Sequence, residues 1–249
     1  RWRLNYNPGR GFGASARRRP TRRDSPAMVS PERHAALQQG WAKLLDRYRV
    51  AAADAYPVFD VLAAAYSAPD RHFHTLEHVA EVLKVAARLT AITDDPSTVQ
   101  LAIWFHDAVY DPRAADNEAR SAELAVTLLG PVGVPAAEID RVGQLVRATA
   151  HFAPDPPAGD RETAILLDAD LAILGAAPER YARYAAAIRQ EYAWVPEEEY
   201  RAARAGVLHH FLARPRLFRT DLAYQEGEAQ ARVNLKGERA ALLGGGDPK

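Results

Sequence analysis

The stretch "LAIWFHDAVYDP", Leu101 to Pro112, decides how this chain is read. His106 and Asp107 stand in an otherwise apolar run beside Trp104 and Phe105. A buried ionised carboxylate is costly unless it is paired, hydrogen-bonded or bound to a metal. Either the pair faces solvent, or it is satisfied internally, or it holds an ion. A His-Asp dipeptide occurs readily by chance, so the choice depends on what accompanies it.

Upstream lies "RHFHTLEHVAEVL", Arg71 to Leu83. Thr75 suits a helix N-cap, and Leu76, Val79, Leu83 and Ala86 repeat at helical spacing. His74 and His78 are four residues apart, which stacks them about 6 Å apart along one helix face. One can serve a metal while the other, a turn back, faces a substrate. Downstream, "ILLDADLAILG" (Ile165 to Gly175) interrupts an apolar helix with Asp168 and Asp170. Those two point roughly 200° apart around the helix, so only one can face a given site. Each residue singly has a bland explanation: a surface histidine, a turn-capping Asp107, an aspartate paired with Arg161. Together, three separated helices each place imidazole or carboxylate among apolar residues. That donor set suits a divalent ion such as Zn, Mn, Fe, Co or Mg.

The rest of the sequence bounds the fold. The 249 residues are 48% hydrophobic and 26% charged, a globular profile with room for a substantial core. No run approaches the ~20 apolar residues of a membrane helix. The absence of cysteine excludes disulfides, thiolate metal sites and a cysteine nucleophile, and fits a cytoplasmic location. Apolar residues recur at helical period over about 31–49, 54–66, 75–91, 97–110, 117–129, 135–151, 161–174, 178–193, 196–213 and 223–242. Ser30, Ser97, Gly130-Pro131, Pro135, Pro178 and Pro196 punctuate them. The expectation is an all-α single-domain bundle of about eight to ten helices over 28–243, with a flexible tail at 244–249.

Residues 1–27 differ. Eight arginines against Asp24 give +7, leaving −7 for the remainder of a chain with zero net charge. Glycines, prolines and little periodicity make this a basic disordered extension. It could be a nucleic-acid or membrane arm, but the expectation is that natural translation starts at Met28, the only methionine. "GRGFG" within it has neither the preceding strand nor the following helix of a phosphate loop. The clearest loop is 151–162, "HFAPDPPAGDRE", a length often functional in compact domains.

In order along the chain, "FHTLEHVAEVL", "AIWFHDAVYDP", "DNEARSAELA", "LLDADLAILG", "YAAAIRQEYAWV" and "EAQARVNL" resemble the HD superfamily of metal-dependent phosphohydrolases, and within it a bacterial group of predicted phosphohydrolases. The resemblance covers about residues 37–240. It implies a helical HD domain with His78, His106, Asp107 and Asp170 as metal ligands. Asp168 would support them from behind, or the two aspartates exchange roles. His74 stands where related phosphodiesterases carry a general acid, although Phe73 and Thr75 depart from the usual "YHN". His151 and Glu118 fall at positions that hold a second ion or brace the first. Arg71, Arg120 and Arg189 are candidates for substrate phosphate, with Lys84, Arg147 and Arg204 behind them. The implied activity is hydrolysis of a phosphate ester, a nucleotide or related small molecule, by a metal-activated water. Asp107 and His74 would be the catalytic groups. No membrane or nucleic-acid partner is expected for the folded domain, and a homo-oligomer is compatible with it. The alternatives are a non-catalytic nucleotide-binding sensor and, behind it, a di-iron oxygenase, which needs more histidine ligands.

Overall fold

The computed structural model describes residues 29–90, 95–150, 156–157 and 159–244. The basic extension, His151, half of the 151–162 loop and the tail beyond 244 therefore lie outside the described residues. Among the described residues ten α-helices follow one another: α1 (Pro31–Asp46), α2 (Ala52–Tyr66), α3 (Leu76–Leu89), α4 (Ser97–Phe105), α5 (Asn117–Leu129), α6 (Ala136–Ala148), α7 (Arg161–Leu171), α8 (Pro178–Glu191), α9 (Glu197–Ala213) and α10 (Asp221–Gly244). A 3-10 turn, Ala172–Gly175, extends α7. No strand occurs among the described residues, and no helix there is long and apolar enough to cross a membrane. The all-α expectation holds.

The helix starts follow local chemistry. Ser30 caps α1 by accepting the Arg33 amide at 3.2 Å, with Pro31 opening the helix. Asp160 caps α7 through the amide and hydroxyl of Thr163. Ser97 does not cap α4 as its sequence position suggests. It is the first helical residue, and Asp95 accepts its amide at 2.8 Å; a carboxylate two residues earlier reaches the same orphan donor.

Two apolar clusters fill the interior. One gathers α1 to α6 with the first half of α7 around Trp41, Phe59, Leu62, Trp104 and Phe105. Its aromatic rings meet edge to face, Trp41 on Trp104 at 5.4 Å and Phe59 on Trp104 at 5.7 Å. The other gathers the end of α7 with α8, α9 and α10 around Tyr184, Ile188, Leu208, Phe211 and Leu235. The chain passes from the first to the second between Ala169 and Leu171, so Asp170 stands at the seam. At Gly175 an added Cβ would fall 2.9 Å from the Gly227 Cα and carbonyl oxygen. That glycine lets α10 pack backbone to backbone on the 3-10 turn.

One helix is shorter than its apolar pattern suggests. Periodicity carries α4 to residue 110, but it stops at Phe105, and His106 and Asp107 sit in the turn that follows. The reason is tertiary. The Arg71 guanidinium takes the carbonyls of Asp107 (2.7 Å) and Ala108 (2.9 Å), and Ser121 Oγ bonds both the amide and carbonyl of Val109. Backbone groups that would continue the helix are already bonded elsewhere.

Candidate metal centre

His78, on the first turn of α3, is buried, and His106 and Asp107, just past α4, are 1% and 3% exposed. These three each offer a ligand atom within 4.8 Å of one another: a buried group that could hold a metal ion. His78 Nε2 and His106 Nε2 face each other at 3.1 Å. Asp107 Oδ2 lies 3.3 Å from His106 Nε2 and 3.8 Å from His78 Nε2. Asp170 Oδ1 closes the group at 3.2 Å from His78 Nε2 and 3.5 Å from His106 Nε2. Donors bound at about 2.0–2.2 Å in tetrahedral or octahedral geometry sit roughly 3.0–3.5 Å apart, and these separations largely match.

The donor chemistry fits as well. His106 Nδ1 lies 2.7 Å from the Ile103 carbonyl, which can only accept. The ring proton is therefore on Nδ1, and Nε2 turns a lone pair into the group. Burial, opposed by Asp170, pushes His78 down to about 4, so its imidazole is neutral at pH 7. Burial alone would raise the Asp170 carboxyl, but the His106 and His78 rings beside it outweigh that and hold it well below the usual range. A divalent cation requires neutral imidazole and ionised carboxylate, and the lowered His78 and Asp170 both favour those states.

Asp168 faces the other way, as the helical angle requires. It is fully buried and accepts the amides of Arg219 (2.8 and 3.0 Å) and Thr220 (2.6 Å). It pins the segment entering α10 rather than the ligand group. Its carboxyl is raised by burial against those bonds.

His74 stands beside His78, ring centroids 5.7 Å apart, its Nε2 3.8 Å from Asp107 Oδ2. Its Nδ1 lies 2.7 Å from Glu191 Oε2, and Tyr110 OH donates to the same oxygen at 2.8 Å. Glu191 Oε1 accepts the amides of His72, Phe73 and His74 at 2.9, 2.7 and 3.0 Å. Burial would raise the Glu191 carboxyl, but the His74 charge and these hydrogen bonds outweigh it and hold the group far down. An ionised carboxylate can only accept, so His74 carries a proton on Nδ1 and directs Nε2 toward Asp107.

Glu191 was not among the residues singled out by motif. Its signal lay in the α8 stripe Tyr181, Tyr184, Ile188, Glu191, the helix's buried positions, where an acid occupies a core place. The arginines also fall differently from expectation. Arg71 is 3% exposed, spends its guanidinium on the carbonyls of His74, Asp107 and Ala108, and stacks over Tyr66 at 4.9 Å. Arg189 holds Glu197 and the carbonyls of Tyr192 and Val195. Arg120 is exposed beside Asp116 at 4.0 Å. Arg204 is buried against Glu238, while Lys84 and Arg147 are exposed. Glu118 is buried in the first turn of α5, outside the ligand group. His151 lies outside the described residues.

The centre opens into a cavity of about 900 Å³, with His78 and Asp170 in its wall. Its cations are Arg33, Arg88, Arg180 and Arg183, none of them among the arginines picked by motif. No family model, curated protein or solved structure matches this chain.

Proposed function

We propose that this chain is a metal-dependent hydrolase of small phosphate esters and a member of the HD superfamily. The observation that carries the reading is the convergence of His78, His106, Asp107 and Asp170, with His74 beside the same Asp107 oxygen and a cavity at the ligands' door. The four would hold Mn, Mg, Fe, Co or Zn, since mixed imidazole and carboxylate donors suit borderline and hard divalent ions. When bound, such an ion supplies Lewis acidity to a phosphoryl oxygen and lowers the pKa of a water toward about 7.

The chain's own residues do the rest. Asp107 presents one oxygen to both His106 and His74 and orients the attacking water. Glu191 fixes the tautomer of His74 and stabilises its cation. The water oxygen bonds to phosphorus as the ester P–O bond breaks. His74 Nε2 hands its proton to the departing alkoxide, and the proton lost by water restores the imidazolium. An ester and water thus become an alcohol and inorganic phosphate. A positioned acid contributes about 10²–10⁴-fold.

The test is a screen of nucleotides and simple phosphate esters against the purified protein with Mn²⁺, Mg²⁺, Co²⁺ and Fe²⁺. Turnover that disappears in Asp107→Ala, and falls about 10²–10⁴-fold in His74→Ala with metal retained, is expected. Turnover unchanged in Asp107→Ala would refute the reading.

A further inference from the structure

His78 begins a stripe along α3. Val82, Val85 and Leu89 follow it on the same face, and all four line the cavity. Eleven residues of helix span about 16 Å, so an apolar wall runs that far from the ligand group. The facing wall repeats the arrangement: Asp170 is followed one turn on by Ile173, with Phe218 beyond. A cavity this size holds a small molecule, and these two walls offer its middle a run of apolar side chains.

The charges at its edge are largely spent on one another. Arg33 bonds Glu77 at 3.2 Å, Arg180 bonds Glu81 at 2.9 Å, and Arg88 bonds Glu226 at 2.7 Å. Arg183 alone of the four cavity arginines has no ion-pair partner among the described residues. A divalent ion between Asp107 and Asp170 would be neutralised by them, leaving one net positive charge from this set. A nucleoside triphosphate would bring several negative charges against Glu77, Glu81 and Glu226, whose arginines are already engaged.

We propose that the cavity binds a phosphate ester of an apolar alcohol, its phosphoryl end at His78 and Asp170 and its hydrocarbon along Val82, Val85, Leu89 and Ile173. The inference rests on the function proposed above only in placing the phosphoryl end at the metal. It extends that reading by setting such esters ahead of nucleotides. Arg183 attracts the single anionic head, and the stripe selects the body.

Titration calorimetry of methyl-, butyl- and hexylphosphonate and of ATP, on protein purified with Mn²⁺, tests it. Each buried methylene multiplies affinity about fourfold. Hexylphosphonate is therefore expected to bind at least about tenfold tighter than methylphosphonate even if only part of the chain is covered, and tighter than ATP. Val85→Asn, at a partly buried wall position, should collapse the hexyl-to-methyl ratio and spare methylphosphonate. Arg183→Gln should weaken all three phosphonates alike and keep the ratio. Equal binding of methyl- and hexylphosphonate by the unaltered protein, or tighter binding of ATP, overturns the proposal without recourse to any variant. Chain-length dependence without turnover of any ester would retire the hydrolase reading and leave this one standing. Metal-dependent turnover indifferent to chain length would do the reverse.

Discussion

Glu191→Gln changes one atom in the network behind His74. The carboxylate accepts five hydrogen bonds: three backbone amides on Oε1, and His74 Nδ1 and Tyr110 OH on Oε2. An amide can keep its oxygen toward the three amides, but its NH₂ then meets two donors. Tyr110 can rotate its hydroxyl. His74 can comply only by giving up its Nδ1 proton, which switches the tautomer and removes the cation. A hydrogen bond to a charged group contributes about 1.5–3 kcal/mol. For a fold of this size that is a fall in Tm of roughly 3–12 °C, read by circular dichroism at pH 7.5. The neutral ring that remains is a far weaker acid at Nε2, so kcat should drop about 10²–10⁴-fold while the affinity for Mn²⁺ stays within a few-fold. A variant with unaltered Tm and kcat would refute the assignment of the Nδ1 proton and the role built on it.

The two aspartates of α7 should separate cleanly. Asp168→Ala strands the buried amides of Arg219 and Thr220 and is expected to cost roughly 2–5 kcal/mol in urea unfolding with Mn²⁺ affinity little changed; Asp170→Ala should do the opposite. Arg71→Met leaves three buried carbonyls without their donor, which predicts a loss of roughly 3–5 kcal/mol and weaker metal binding, because the turn holding His106 and Asp107 loosens. Acid should expose Glu191. Its folded pKa is depressed, so its stabilisation is complete above the ordinary carboxylate range and is lost as pH falls below it. Unfolding curves between pH 6 and 3 should therefore be shallower for Glu191→Gln than for the unaltered chain.

The helices were legible because each carries its own period and its own stops, and Ser30-Pro31 and the prolines at 135, 178 and 196 read as they fold. His78, His106 and Asp107 were legible because polar donors inside apolar stripes need a reason. What escaped was whatever a distant element decides. The end of α4 depends on Arg71, which lies 36 residues from Asp107. Arg71 itself has a guanidinium that serves carbonyls as readily as phosphates, and nothing local distinguishes the two uses. Asp168 and Asp170 differ only in whether α10 or α3 faces them. Glu191 had a signal in the α8 stripe, but its partners at 72–74 lie more than a hundred residues away.

The central claim is that His78, His106, Asp107 and Asp170 form a metal site. It is tested most directly by elemental analysis of the purified protein combined with calorimetric titration of Mn²⁺ into the stripped protein and its Asp107→Ala and His106→Ala variants, each verified as folded by circular dichroism. The account predicts a stoichiometric divalent ion in the unaltered chain and at least about a hundredfold weaker binding in both variants, consistent with an ion held by only a few protein donors. Absence of metal, with Mn²⁺ affinity the same in all three proteins, would contradict it.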